Sequence, residues 1–229
     1  MYNPANLKMI RSKIADAARS NGRKPEDITL IAVSKTVDAA IVKAAWDDGQ
    51  VDFGENRVQD FIRKQAVLPE ARWHFIGRLQ TNKAKEVARL AWLVHSLDRD
   101  ELAVELNKRA AQAGRVLPVL IEVNISGETS KTGFSVNELT KWLPRADQFK
   151  NLRILGLMTM APWSDSPENS RPYFHQAKEL YDNIQKEDYP YLEMKYLSMG
   201  MSDDYLVALE EGANMVRIGT AIFGPRIIG

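Results

Sequence analysis

The sequence predicts one domain over residues 1–229, a (β/α)8 TIM barrel preceded by an extra N-terminal helix. Two observations carry this. Eight short apolar runs begin near residues 28, 51, 73, 92, 116, 152, 194 and 215, and each is followed by residues at helical spacing. The length of 229 residues, 45% of them hydrophobic and 27% charged, suits one α/β barrel with a filled core. Regular strand–helix alternation implies parallel strands joined by right-handed crossovers. Eight such units favour closure over the main rival, an open doubly wound sheet.

The elements follow in order. Residues 4–20 form the extra helix: Asn3 can cap it, Pro4 suits its first turn, and Leu7, Ile10, Ile14 and Ala17 share a face. Residues 28–34 (ITLIAVS) are a continuous apolar run, as in a strand buried on both faces. A helix over 38–48 carries Ala39, Val42 and Trp46. A short strand over 51–54 leads into a helix from about residue 55 with Val58, Phe61 and Ile62. The third unit is a strand over 73–77 and a helix over 81–90. The fourth is a strand over 92–97 and a helix opened by Asp98, with Glu101 three residues on. The fifth strand spans 116–125, and Ser135 with Glu138 then forms a capping-box pattern. Strand six spans 152–158 and its helix 171–186. Strand seven spans 194–198, with Ser202 as the cap of the next helix, and strand eight spans 215–219. The Pro/Ser-rich stretch 161–172 is the one long loop, on the functional face, and reads mostly as a solvated insertion.

Composition narrows the function. A formal net charge of +1 argues against a nucleic-acid or membrane partner. The absence of cysteine excludes disulfides, thiolate metal sites and a cysteine nucleophile. The N-terminus lacks a signal-peptide apolar region, and no apolar run approaches the roughly 20 residues that span a bilayer. These features predict a soluble cytoplasmic protein.

Active sites of such barrels form at the C-terminal ends of the strands. Lys35, directly after the first strand, has an apolar setting that would lower its pKa and favour attack on carbonyls. Gly219 and Thr220 end strand eight, where barrels often bind phosphate. Ser198 ends strand seven and Asn56 follows strand two. A reactive lysine with a phosphate cradle suits a phosphorylated aldehyde, and equally a Schiff-base aldolase acting on a sugar phosphate. Residues 127–133 resemble a phosphate loop but lack the glycine before the lysine, and read as a surface turn near the site. His74, His95 and His175 lack ligand-like spacing, so no metal is expected. His74 and His95 are expected to pack or hydrogen-bond within strands.

Several motifs, in order along nearly the whole chain, resemble those of the pyridoxal phosphate homeostasis protein family. They are Ala32-Val33-Ser34-Lys35-Thr36, Phe53-Gly54-Glu55-Asn56-Arg57-Val58-Gln59, His74-Phe75-Ile76-Gly77-Arg78-Leu79-Gln80-Thr81-Asn82-Lys83, Gly156-Leu157-Met158-Thr159-Met160, Ser198-Met199-Gly200-Met201-Ser202-Asp203-Asp204 and Arg217-Ile218-Gly219-Thr220-Ala221-Ile222-Phe223-Gly224. That family is similar to the barrel domain of alanine racemase, the type III fold of pyridoxal phosphate proteins. The resemblance implies pyridoxal 5'-phosphate as cofactor, held as an aldimine on Lys35. It implies phosphate contacts from Ser198, Gly219 and Thr220, Arg217 facing the pyridine nitrogen, and Asn56 beside the ring. An arginine cannot protonate that nitrogen as an acidic partner would, which weakens carbanion chemistry. Alanine racemase also uses a second domain that supplies a tyrosine base, and 229 residues leave no room for one here. The expected role is therefore cofactor binding and vitamin B6 homeostasis by a monomer, with transient contact to client apoenzymes. A weak amino-acid racemase is the alternative.

Overall fold

The computed structural model describes residues 2–128, 131–187 and 189–225. Eight parallel strands close a barrel in sequence order: β1 (Thr29–Val33), β2 (Asp52–Glu55), β3 (Arg72–Phe75), β4 (Leu93–Leu97), β5 (Leu117–Glu122), β6 (Leu152–Met158), β7 (Leu192–Ser198) and β8 (Met215–Ile218). β8 pairs with β1, Arg217 opposite Ile31, which completes the ring. The helices are α1 (Pro4–Ser20), α2 (Ala39–Asp47), α3 (Val58–Val67), α4 (Ala84–Leu90), α5 (Asp100–Gln112), α6 (Val136–Trp142), α7 (Arg171–Lys186), α8 (Tyr205–Glu210) and α9 (Thr220–Phe223). The predicted closed barrel with its extra first helix is thus the observed fold. No helix is long and apolar enough to cross a membrane among the described residues.

Two apolar layers hold it together. The larger lies between the outer face of the strands and the helices, and takes in Leu7, Ile10 and Ile14 of α1. The smaller, Ile31, Leu93, Leu120, Leu155, Met158 and Met215, fills part of the barrel interior. The rest of the interior is polar, and that division shapes the site.

Local rules account for most boundaries. Asn3 caps α1 by accepting from Ala5 N at 3.0 Å, and the Ser135–Glu138 capping box closes at the start of α6. α3 begins at Val58 rather than near residue 55, because Arg57, its N-cap, keeps an extended backbone. Asp98 does not open α5: the helix starts at Asp100 with Arg99 at its cap, and the buried Asp98 carboxylate is taken by the Arg99 guanidinium. The stretch 161–172 is shorter as a loop than expected, since a 3-10 turn over Pro167–Ser170 runs into α7. Gly156 holds a φ of +134°, and a Cβ there would lie 1.9 Å from Tyr196 O, so the β6–β7 approach requires glycine.

Candidate functional site at the C-terminal mouth of the barrel

The strand ends at the mouth surround a cleft of about 450 Å3. Lys35, Asn56, Arg217, Gly219 and Thr220 all line it, so five of the six residues singled out in the sequence meet there.

Lys35 leaves β1 on a tight turn. Val37 N donates to Ser34 O at 2.9 Å, and Thr36 sits at φ +65°, the one non-glycine residue with positive φ among those described. A β-branched residue in that region costs on the order of 1 kcal/mol or more, so the surrounding packing must impose it. Part of the support lies beneath. The buried Lys64 ammonium donates to Ser34 O at 2.6 Å and pairs with Glu55, and Ser34 Oγ donates to Glu55 Oε1 at 2.8 Å. The residue before Lys35 is thus clamped by a buried ion pair.

At the end of β8, the N–H groups of Gly219 and Ala221 point at Ser202 Oγ at 3.3 and 3.4 Å, and the Thr220 hydroxyl lies 3.1 Å from the same oxygen. Two backbone donors and two hydroxyls therefore gather at one point of the cleft wall. Ser202 was expected to cap the helix after strand seven. That cap is Asp204, and Ser202 instead lines the cleft. Its position in the loop after β7 was the available signal, since barrels bind phosphate with the loops after strands seven and eight. Ser198 does not line the cleft. It is fully buried, with Oγ turned into the barrel interior. The strand's two-residue period, read in the barrel's register, puts it inside.

Ser198 belongs to a hydrogen-bonded chain that threads the interior. Arg217 Nη1 donates to Ser198 Oγ at 2.7 Å; Ser198 Oγ lies 3.1 Å from His95 Nδ1; His95 Nε2 lies 2.9 Å from His74 Nδ1; His74 Nε2 lies 3.0 Å from Asp52 Oδ1. Asp52 Oδ2 then meets Arg72 at 2.6 Å, at the opposite end of the barrel. With both imidazoles neutral, the two ends set the direction of every bond. A guanidinium only donates and a carboxylate only accepts, so Asp52 accepts from His74 Nε2–H, His74 Nδ1 from His95 Nε2–H, and His95 Nδ1 from the Ser198 hydroxyl. Burial pushes both pKa values down, that of His95 well below its ordinary value, with His74 and Arg217 adding to the effect. The histidines thus hydrogen-bond between strands as expected, although no pattern in the sequence links them to Arg217.

Arg217 is 4% exposed, and its second donor goes to Thr159 O at 2.9 Å. Burial lowers its pKa to about 10, so it is still charged at neutral pH. The remaining wall includes Glu122, whose carboxyl is raised by burial against a hydrogen bond from Thr132. Thr132 brings the turn over 127–133 to the cleft, as expected; residues 129 and 130 lie outside the described residues. Met160, at the start of the Pro/Ser-rich stretch, also reaches the wall.

A closed single barrel with a lysine after β1, an arginine on β8 and oxyanion donors beyond it places the molecule among the alanine racemase-type barrels. The model of the alanine racemase N-terminal domain matches residues 6–226. The chain belongs to the pyridoxal phosphate homeostasis protein family: it is 43% identical over 222 residues to the member from Aquifex aeolicus, covering 96% of each chain, and 42% identical over 229 residues to that of Escherichia coli K12, covering 96% of this chain and 95% of the other. Among solved structures it resembles PipY of Synechococcus elongatus with pyridoxal phosphate bound (TM-score 0.81, 37% identity, 92% of this chain and 100% of that one). Alanine racemase of Clostridium difficile shares the fold at 17% identity and TM-score 0.73, with 99% of this chain matching 58% of that one.

Proposed function

We propose that this protein holds pyridoxal 5'-phosphate in the cleft at the mouth of its barrel and serves vitamin B6 homeostasis in the cytoplasm as a carrier rather than an enzyme. The observation that carries this reading is the convergence on one cleft of the Lys35 amine, the donor set at Ser202, Gly219, Thr220 and Ala221, and the charged Arg217. The donor chemistry fits the cofactor. Two N–H groups and two hydroxyls suit a phosphate, and a half-buried amine suits an aldehyde. Lys35 would hold the aldehyde carbon, with Asn56 beside the ring. Ser202, rather than Ser198, would join Gly219 and Thr220 on the phosphate.

Bound there, the cofactor supplies an aldehyde that condenses reversibly with primary amines and a ring that withdraws electrons. Arg217 offers N–H groups only, held by Ser198 and Thr159, and so withholds the proton an acidic partner would place on the ring nitrogen. Ser198 acts through Arg217. Its hydroxyl proton is committed to His95, which leaves its lone pairs to the guanidinium.

The test is the visible absorption spectrum of the purified protein beside Lys35→Ala, with borohydride reduction and peptide mass mapping. The expected result is a yellow band in the wild type, absent from the variant, and a reduced adduct on Lys35. A wild type that stays colourless with added pyridoxal phosphate sinks the reading. The phosphate assignment has its own check. Ser202→Ala removes one hydrogen bond to a charged group and should weaken cofactor binding about tenfold (about 1.5 kcal/mol) in an equilibrium titration. Ser198→Ala should instead shift the absorption maximum through Arg217.

One observation favours weak racemisation as a second reading. Glu122 places on the cleft wall a carboxyl that burial raises above its ordinary value, a group of the kind that serves as a general acid or base. Exchange of an amino acid's α-proton in deuterated water, lost in Glu122→Gln, would establish it.

A further inference from the structure

We propose that a second groove, next to the cofactor cleft, docks an acidic segment of a partner polypeptide, with Arg57, Arg78 and Lys83 gripping its carboxylates. That the partner receives the cofactor rests on the function proposed above; the groove itself does not.

The groove encloses about 690 Å3, against about 450 Å3 for the cleft. It is built by the loops after β2, β3 and β4, which contribute Arg57, then Arg78, Gln80, Asn82 and Lys83, then Arg99. Four of its lining side chains are cations and none is a carboxylate. Arg99 is neutralised by Asp98 and donates to Leu79 O at 3.0 Å. The other three have no ion pair and no side-chain hydrogen bond among the described residues.

The arginines make this selective. An exposed lysine without a partner is ordinary, but in this chain arginines are partnered. Arg19, Arg63, Arg72, Arg89, Arg99, Arg109, Arg145, Arg153 and Arg171 pair with carboxylates. Arg11, Arg23, Arg115 and Arg217 donate to backbone carbonyls. Arg57 and Arg78 are the two described arginines left, and both face this one groove. Like charges gathered without counter-ions repel one another, and an arginine's planar fork matches a carboxylate in bidentate fashion. Glu122 on the cleft wall lends Arg78 some opposite field without pairing with it, and the rest of the counter-charge is left to a ligand. Gly77 keeps the two arginine loops together: a Cβ there would lie 2.4 Å from Asn56 O.

The shape and lining select the ligand class. Available cations drawn from two separate loops around an open groove suit an extended chain of charges more than one small anion. The lining aromatic, Phe75, is fully buried, so no ring is available to stack a nucleobase. A net charge of +1 provides no broad field for a nucleic-acid backbone. An acidic peptide needs neither. Asn56 and Arg78 line both groove and cleft, so an occupant of the groove would touch the wall of the cofactor site.

The probe is a fluorescein-labelled deca-glutamate peptide, titrated with the full chain by fluorescence anisotropy at low ionic strength. Expected are saturable binding, a loss of about tenfold or more in affinity in Arg57→Ala/Arg78→Ala with an unchanged melting temperature, and partial recovery in Arg57→Lys/Arg78→Lys. The exposed lysine pair Lys108→Ala/Lys141→Ala, on α5 and α6, should change affinity less than about twofold. Equal binding by wild type and the arginine double variant overturns the proposal. Inorganic triphosphate or oligo-dT binding the groove more tightly than the peptide overturns the ligand class. The titration is repeated on Lys35→Ala, where binding should persist. A failure of the cofactor reading then leaves this result standing, and a failure here leaves that one.

Discussion

Glu55→Leu is expected to cost about 3–5 kcal/mol of stability, because it leaves the Lys64 ammonium, 1% exposed, buried without a counter-charge. At about 2–4 °C per kcal/mol for a chain of this size, the melting temperature should fall by roughly 10 °C. The Lys64 amine also holds Ser34 O, and Ser34 Oγ leans on Glu55, so the loss should loosen the turn that presents Lys35. The double variant Glu55→Leu/Lys64→Met replaces the pair by apolar groups and should recover most of the stability, since a buried ion pair gains little over well-packed hydrophobes. Urea midpoints of the three proteins decide it. A double variant no more stable than the single one would show that the uncompensated charge is not the cause.

Breaking the buried chain at its middle should be comparably severe. His95→Leu orphans the Ser198 hydroxyl proton and His74 Nδ1, each at about 1–3 kcal/mol. With cofactor bound, the variant should also shift the absorption maximum, because Ser198 no longer fixes the Arg217 guanidinium. A structural cavity alone would leave that spectrum unchanged.

The same chain sets a pH dependence. Both imidazoles have folded-state pKa values below the ordinary 6.5, so the unfolded state binds more protons. Stability is then fully present above about pH 6.5 and is lost as the pH falls below it, by up to about 2 kcal/mol between pH 6.5 and 5.5 for the two together. Urea midpoints across that range should fall in the wild type and much less in His74→Leu/His95→Leu. Parallel profiles would contradict the assignment of neutral, buried imidazoles.

The barrel was legible because its signal is local and repeated. Strands buried on both faces read as apolar runs, as in ITLIAVS, and the helices carry caps that follow short-range rules, as at Asn3 and Ser135. β7 was read less well. It begins at Leu192, two residues before the apolar run, because Glu193 and Lys195 alternate outward along its exposed side. At the site, Lys35, Asn56, Arg217, Gly219 and Thr220 were identifiable because each follows or ends a strand and carries a motif of the family.

What the sequence determined by itself is the order of strands and helices, hence the parallel closed barrel, and the set of strand-end residues available at its mouth. Those follow from periodicity and chain connectivity, which are properties of neighbours along the chain. Tertiary structure decided which hydroxyl, Ser202 or Ser198, joins the oxyanion donors, which carboxylate neutralises Lys64, and how Arg217 connects through two histidines to Asp52 and Arg72 at the far end. Those partners lie 9 to 103 residues apart. Which of them meet depends on strand register and on which face of each strand turns inward, and a shift of one residue reverses that face.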